Sequence, residues 1–475
     1  MQGAAPADPA RAVPADRCRA ALRAAPRARV LLPYNPRVTL RAESRPTGTL
    51  AARLRLVRHS RLVRQNLVLF IGAMVSGLGG FVYHAVAGRV LGPRTYGEVA
   101  SLVALYTMGT TINLILILVL ARYAADLLAQ RRPGGLRSIM SRTGFLIAIP
   151  TAVFIVLGVA LAPLVARFEN LRSPGAVVWL VLAVAACWYM ALPRGVLQGV
   201  QRFTGLSLNL SLELVVRTAS LCLLLWAGLG TSGSMISILL GVGVAFAIGT
   251  WSLRDVLSTP TERVRMRAML GFALTAAAGT VGVLLLYNMD VVLAAHYLDK
   301  HGAGIYGGLN KIGTILYFGT LSVSQVLFPR VVEAVATRRN PGLLLMLSAG
   351  LIGGLGLCAI AVFALVPHLV VGILFGPQFA DAQAYLLPVG FVGLGLSLNN
   401  LLTQFFMAVH DRVFIPVLAG GCILEAGLIA GFHAGVGQVV TDVLIGMWVL
   451  LAAFIIRCLL LLPRVRPEMV DRPHA

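Results

Sequence analysis

The sequence predicts an all-α integral membrane protein of about twelve transmembrane helices, arranged as two pseudo-symmetric six-helix lobes. Three observations carry that prediction: a 475-residue chain that is 58% hydrophobic and only 12% charged, a succession of long apolar runs, and short sequence echoes between its two halves. An ordinary soluble domain carries about 25% charged residues, and a disordered chain is far less apolar. With a mean hydropathy of +0.85, no water-soluble packing hides this much apolar side chain. Lipid is therefore the solvent for most of it.

A helix crosses a hydrocarbon core of about 30 Å with about 20 mainly apolar residues. Twelve runs meet that requirement, at 66–90, 97–120, 143–165, 175–198, 204–228, 233–253, 269–297, 303–328, 342–366, 382–409, 413–433 and 438–462. None alternates as the strands of a transmembrane barrel do. Pro150, Pro193, Pro388 and Pro416 fall inside or near the ends of runs, where a bundle tolerates bends because neighbouring helices satisfy the freed carbonyls.

Orientation follows from Lys and Arg in the short connections. With a cytoplasmic N-terminus, 17 of them fall on the cytoplasmic side: Arg122, Arg131, Arg132, Arg137, Arg142, Arg202, Arg254, Arg263, Arg265, Arg267, Arg330, Arg338, Arg339, Arg412, Arg464, Arg466 and Arg472. Five fall on the other: Arg89, Arg94, Arg167, Arg172 and Lys300. Both termini are expected inside.

Residues 1–65 hold 14 Arg against Asp8, Asp16 and Glu43, which accounts for half of the net charge of +22. That excess resembles a nucleic-acid signature, but its position assigns it to this segment and to topology, and no nucleic-acid partner is expected. The segment reads as a disordered cytoplasmic extension that meets an anionic membrane surface; a transit peptide and an upstream mis-start remain open. The expected organisation is extension 1–65, first lobe 66–254, basic interlobe loop 255–268, second lobe 269–462 and cytoplasmic tail 463–475. The six cysteines are scattered, with neither disulfide nor zinc spacing, and read as small buried hydrophobes. No metal and no cofactor is expected.

The connection Ala87-Gly88-Arg89-Val90-Leu91-Gly92-Pro93-Arg94-Thr95-Tyr96-Gly97 is echoed by Ala294-Ala295-His296-Tyr297-Leu298 and Gly304-Ile305-Tyr306-Gly307. Likewise Leu197-Gln198-Gly199-Val200-Gln201-Arg202 is echoed by Phe406-Met407-Ala408-Val409-His410-Asp411-Arg412. Six helices per unit is an even number, so both units insert the same way, as parallel repeats about an axis along the membrane normal.

On these stretches, together with Asp290, Gly308-Leu309-Asn310-Lys311, Gln325-Val326-Leu327-Phe328-Pro329-Arg330 and Leu374-Phe375-Gly376-Pro377-Gln378-Phe379, the chain resembles the polysaccharide-export, Wzx-like branch of the multidrug/oligosaccharidyl-lipid/polysaccharide (MOP) flippase superfamily. The similarity covers roughly residues 66–462. It departs where Asp299-Lys300-His301 stands in place of Gly92-Pro93-Arg94. The resemblance implies a transporter of the bacterial cytoplasmic membrane that moves a lipid-linked sugar to the outer leaflet while its lobes rock about a central cavity. Membrane lipid, the lipid-linked substrate and polysaccharide-assembly proteins are the implied partners.

A charge at mid-bilayer costs about 2.5–3.5 kcal/mol on insertion scales, so intramembrane charges are the site candidates. Asn209, Glu213 and Arg217 recur every four residues and share one face of the fifth run. Either they form a cavity-lining stripe in which Arg217 meets a diphosphate and Glu213 takes a proton or cation, or Glu213 and Arg217 form a self-neutralising i,i+4 pair. Asp290 and Lys311 lie at similar depth and are expected to pair across a hairpin, as clasp or as gate. Glu425 sits where the repeat places a counterpart of Glu213, although Gly427, Gly431 and Gly435 also suggest a close-packing face there. Arg194, one turn from Gln198, either receives phosphate or snorkels to the interface. His84 has Asn113 as its expected polar companion, for a proton relay or for local satisfaction. Asn399, Asn400 and Gln404 read as interhelical hydrogen-bonding groups.

Two other function classes compete. A multidrug/cation antiporter of the same superfamily has the same helix count. A membrane-embedded polysaccharide polymerase or ligase usually needs a sizeable external loop, whereas the connections here are short; no Walker A, zinc triad or GxSxG turn is present. A non-enzymatic transporter is the expected class.

Overall fold

The computed structural model describes residues 61–262, 269–336 and 341–465. The expected extension up to residue 60, the loop arginines Arg263, Arg265, Arg267, Arg338 and Arg339, and the tail's Arg466 and Arg472 lie outside the described residues. In hydrocarbon a backbone must satisfy its own N–H and C=O groups, and the described segments do so as helix. They are α1 (Arg61–Gly109), α2 (Thr111–Ala129), α3 (Pro133–Phe168), α4 (Gly175–Gly199), α5 (Phe203–Trp226), α6 (Gly230–Trp251), α7 (Arg254–Leu257), α8 (Met269–Tyr297), α9 (Lys300–Ala336), α10 (Gly342–Leu365), α11 (Pro367–Leu374), a 3-10 segment η1 (Pro377–Tyr385), α12 (Leu386–Ala408), α13 (Phe414–Gly431) and α14 (Val436–Val465). Among the described residues, nine stretches are long and apolar enough to cross a membrane, the first of them, Gly79–Ala129, taking in two of the expected runs.

The first two runs form one helix broken at Gly92, which adopts φ 66° and ψ 170° ahead of Pro93. Only glycine holds that conformation without strain. The break turns the chain back, so the second half of α1 continues into α2 as the second crossing. Gly376, also followed by proline, repeats the device at φ 84° in the connection between α10 and α12. The end of the molecule that holds both junctions is called the kink end below.

Helix pairing bears out the repeat. In the first lobe α1 packs on α5, α5 on α6, α2 on α4, α4 on α6 and α3 on α4. In the second lobe the same positions pair: α8 on α13, α13 on α14, α9 on α12, α12 on α14 and α10 on α12. Backbone detail repeats as well. Gln201 and His410, at equivalent positions, both adopt positive φ, and the next amide in each case bonds a carbonyl five residues back, Arg202 to Leu197 and Asp411 to Phe406. That is a Schellman-type helix end.

The chemistry beside those turns is reversed. In lobe one, Arg202 on the connection grips Asp255 beyond α6, with Nη1 to Oδ1 at 2.8 Å and Nη2 to Oδ2. In lobe two, Asp411 on the connection accepts two bonds from Arg457 of α14, at 3.0 and 2.7 Å. Both are bidentate forks, and each guanidinium holds its carboxyl below the usual carboxylate range. Each clamp fixes a connection to the last helix of its own lobe.

The lobes meet where the second half of α1 runs against α9 and α8. A Cβ on Gly304 would stand 1.9 Å from the Pro93 carbonyl oxygen, and one on Gly97 would stand 2.8 Å from the Gly304 nitrogen. Small residues thus let the two backbones touch. Gly304→Ala is expected to destabilise the protein by about 1–3 kcal/mol through overpacking. Gly353→Ala, in open space on α10, is expected to be neutral or to gain about 0.5–1 kcal/mol; detergent-solubilised melting curves of both variants check the contrast.

Candidate functional site

The α5 stripe is positioned by α4 and α6. Asn209 is buried and its Nδ2 donates to the Ala245 carbonyl of α6. Arg194 of α4 donates from Nε to Asn209 Oδ1 at 2.7 Å and from Nη2 to Glu213 Oε2. Of the two alternatives for the stripe, the self-neutralising i,i+4 pair of Glu213 with Arg217 does not form, an interhelical pair with Arg194 taking its place. The reason lies in the fork of the guanidinium, whose two donors match acceptors one helical turn apart on α5. Arg194 does not snorkel: it is buried among these partners. Gln198, one turn on, is exposed.

That pairing leaves Arg217 over. Its guanidinium carbon lies 4.1 Å from the centre of the Tyr83 ring and 5.9 Å from that of Tyr106, both on α1. Its Nε is buried without a hydrogen-bond partner, and among the described residues no carboxylate lies within 4.0 Å of it. Tyr83 is fixed in turn, its hydroxyl donating to the Ser234 carbonyl at 2.9 Å. Cation–π contact orients the guanidinium plane without cancelling its charge.

Lobe two carries the opposite sign. Asp290 of α8 accepts at Oδ2 from the Tyr306 hydroxyl at 2.6 Å and from Asn310 Nδ2 at 2.9 Å, both from α9, while Oδ1 has no partner. The expected Asp290–Lys311 pair does not form within 4.0 Å. Tyr306 and Asn310 are four residues apart and define the face of α9 that meets Asp290, whereas Lys311 is turned about 100° from it, its ammonium 5.2 Å from the centre of the Tyr287 ring. Asp290, Tyr306, Asn310 and Thr314 line one side of a cavity that also reaches Val440 and Val443 of α14.

Two further carboxylates lie within lobe two. Glu425 of α13 is fully buried, neither oxygen having a hydrogen-bond partner. Asp442 of α14 is buried, accepts from Gln438 Nε2 at 3.0 Å and leaves Oδ2 unpartnered. The close-packing face expected at Gly427, Gly431 and Gly435 is absent, since nothing lies within 4 Å of a Cβ at any of them. The buried face of α13 is instead Leu418, Cys422, Glu425 and Ile429, at helical spacing.

His84 and Asn113 are not companions. The break at Gly92 brings Tyr96 beside His84, hydroxyl to Nδ1 3.0 Å, while Asn113 on α2 turns to α4 and meets the Cys187 carbonyl and Sγ. Asn399 donates to the Met447 carbonyl at 2.9 Å, an α12–α14 bond of the expected kind. Tyr83, Tyr106, Tyr306, Asn310 and Asp442 were not singled out from the sequence as site residues. Asp442 is signalled by its i,i+4 spacing from Gln438 at the start of the last run, and Tyr306 by the Tyr306-Gly307 that echoes Tyr96-Gly97; Tyr83 and Tyr106 carry no such mark.

A profile of the family described as "Polysaccharide biosynthesis protein" matches residues 62–335. No curated protein sequence matches the chain. Among solved structures, the inward-facing form of a multidrug resistance MATE family transporter of the MOP superfamily superposes with a TM-score of 0.72 at 12% identity, over 86% of this chain and 100% of that one. The outward-facing form of such a transporter scores 0.64 at 13% identity, over 85% and 96%. A MOP superfamily transporter from Pyrococcus furiosus, reported to have a binding pocket of reversed polarity, scores 0.61 at 13% identity, over 86% and 96%. At such identities the likeness shows the fold, a two-lobed transporter architecture.

Double-mutant cycles on thermal stability separate the partners of Asp290. Asp290→Asn with Tyr306→Phe is expected to show a coupling of about 0.5–3 kcal/mol, as for residues in one hydrogen-bond network, and the cycle of Asp290→Asn with Lys311→Met the smaller value.

Proposed function

The chain belongs to the polysaccharide biosynthesis protein family and has the fold of MOP superfamily transporters, and from that premise we propose that it flips a lipid-linked oligosaccharide or polysaccharide precursor from the inner to the outer leaflet of a bacterial cytoplasmic membrane. It works by alternating access of its two lobes, with both termini in the cytoplasm and the kink end outside. The observation that carries this reading is Arg217, a half-buried guanidinium in a membrane helix with a free Nε–H and no acidic partner among the described residues.

Such a donor suits a diphosphate. Arg binds phosphate oxygens through a planar fork, and stacking on Tyr83 preorganises that fork at little entropic cost. A cationic drug finds no free matching charge on the stripe, because its carboxylate, Glu213, is already taken by Arg194. That favours the anionic headgroup over the drug-antiporter alternative.

At membrane depth, coupling to an ion belongs to lobe two. Asp290, Glu425 and Asp442 present carboxylate oxygens without partners, and buried carboxylates are tolerated only when a proton or cation neutralises them. Loading and unloading that charge changes the energy of the lobe and thereby biases its packing against the other. Lys311, held beside Tyr287, sets the local field, and His84 belongs to the hydrogen-bond pair with Tyr96.

Proteoliposomes carrying a fluorescent diphosphate-linked lipid sugar test the proposal. Arg217→Ala is expected to lower the flipping rate by about tenfold or more, the equivalent of at least about 1.4 kcal/mol, with insertion and melting temperature unchanged. Arg217→Lys is expected to retain part of the rate. Undiminished flipping in the alanine variant would remove Arg217 from the mechanism.

A further inference from the structure

The lobes also meet at the kink end through a polar cluster that the reading above leaves unused. Glu98, on the second half of α1, is buried; Lys300 of α9 reaches its Oε1 at 3.3 Å and Arg172 at 3.6 Å, and Thr231 of α6 donates to Oε2 at 2.9 Å. Asn170, in the α3–α4 connection, donates across to the carbonyls of Ala295 and His296 at 3.1 and 3.0 Å. His296 returns the contact, Nδ1 donating to the Phe168 carbonyl at 2.7 Å with the two rings stacked. Between these bonds lies Glu169. It is 2% exposed, it borders a narrow gap together with Arg94, Glu98 and Lys300, and its Oε2 has no hydrogen-bond partner.

We propose that the Glu169 carboxyl is a proton-binding site that bolts the outer face: protonated, it lets the lobes close over it, and ionised, it favours their separation. An ionised carboxylate in that space has lost its water and has no cation paired with it within 4.0 Å, the nearby Lys300 and Arg172 being turned to Glu98. Of the charged groups around it, Lys300 from α9 and Arg172 from the same connection are engaged by Glu98, Arg94 from α1 is exposed, and His296 from α8 keeps its donor to Phe168 in either protonation state. Parting the lobes readmits water, which solvates the charge at once.

Burial pushes the Glu169 carboxyl up from 4.5 to about 7, the Ser101 hydroxyl holding it down in part. The contribution of the neutral form to closure is therefore complete below about pH 4.5 and is lost as pH rises through about 7. In the proposed orientation the carboxyl is loaded from outside. A proton taken up by the open carrier shuts the outer face and returns it to the inward-facing state. The inference rests on the alternating-access reading and its orientation, but not on the nature of the substrate.

Spin labels on cysteines at Ser173 and Ala380, exposed positions of lobes one and two at this end, report the separation directly. The full chain, its native cysteines replaced, is placed in lipid nanodiscs without substrate and examined by double electron–electron resonance across about pH 5–9. The expected result is a short distance at low pH and a long-distance population that grows with a midpoint near 7. Glu169→Gln is expected to keep the short distance at every pH, and Ser101→Ala to move the midpoint upward; size-exclusion profiles verify that both variants fold. A wild-type distance independent of pH, or a Glu169→Gln variant that opens at the wild-type midpoint, overturns the proposal. A protein that flips the lipid-linked sugar but opens independently of pH loses the bolt alone, whereas one that opens with pH and flips nothing loses only the substrate assignment.

Discussion

A charge surrounded by hydrocarbon needs a partner, a route to water or a transient ligand, and the cost of having none, a few kcal/mol on insertion scales, is large against the net stability of a protein. The charged groups of this chain sort themselves under that pressure. Glu213 takes Arg194, and Asp411 takes Arg457. Arg202 takes Asp255. Asp290 receives two neutral donors instead of a cation. Among the described residues, Arg217 and Lys311 remain beside aromatic faces, and Glu425 keeps both oxygens unpartnered. A structure that neutralises most of its charges with care marks the remainder as groups kept for something that comes and goes.

The two lobes divide the remainder at membrane depth unequally. Lobe one offers the Arg217 guanidinium, and lobe two offers three carboxylates with the one ammonium of Lys311, although helix pairings and even the positive-φ turns at Gln201 and His410 coincide between them. The repeat preserves backbone geometry, which is fixed by small residues and helix ends, and it does not preserve chemistry. The clamps make the same point, since Arg202 and Asp411 occupy equivalent positions with opposite charge. Anion recognition and ion coupling can then reside in different halves of one machine and still communicate through the face they share.

The fold was legible in the sequence because each crossing needs a long apolar run and the two halves share a spacing. Gly92-Pro93 was readable as an interruption, yet its consequence, the placing of Tyr96 against His84, depends on a backbone turn that no periodicity states. The site was legible as a set of residues and not as a set of pairs. Asn209, Glu213 and Arg217 share a helix face on any reading, but whether Glu213 turns to Arg217 or to Arg194 is decided by the rotation of α4 against α5. Asp290 and Lys311 lie at similar depth, and depth says nothing of azimuth; one residue of offset on α9 gives the bond to Asn310 instead. Tyr83 and Tyr106 escaped notice because an aromatic ring in a greasy helix has the composition of core.

The approach of Gly97 to Gly304 has a consequence for reversibility. An interface built from long side chains orders their rotamers each time it forms, at about 0.5–2 kcal/mol per residue, and tends to gain correspondingly deep contacts. Two glycines have no rotamers to lose and few atoms to hold on with. Closing them costs little conformational entropy and yields little attraction, so the joint is smooth in both directions. A carrier that must open and shut at every cycle is served by a seam that neither state grips firmly, leaving the balance to be tipped by a proton or a phosphate.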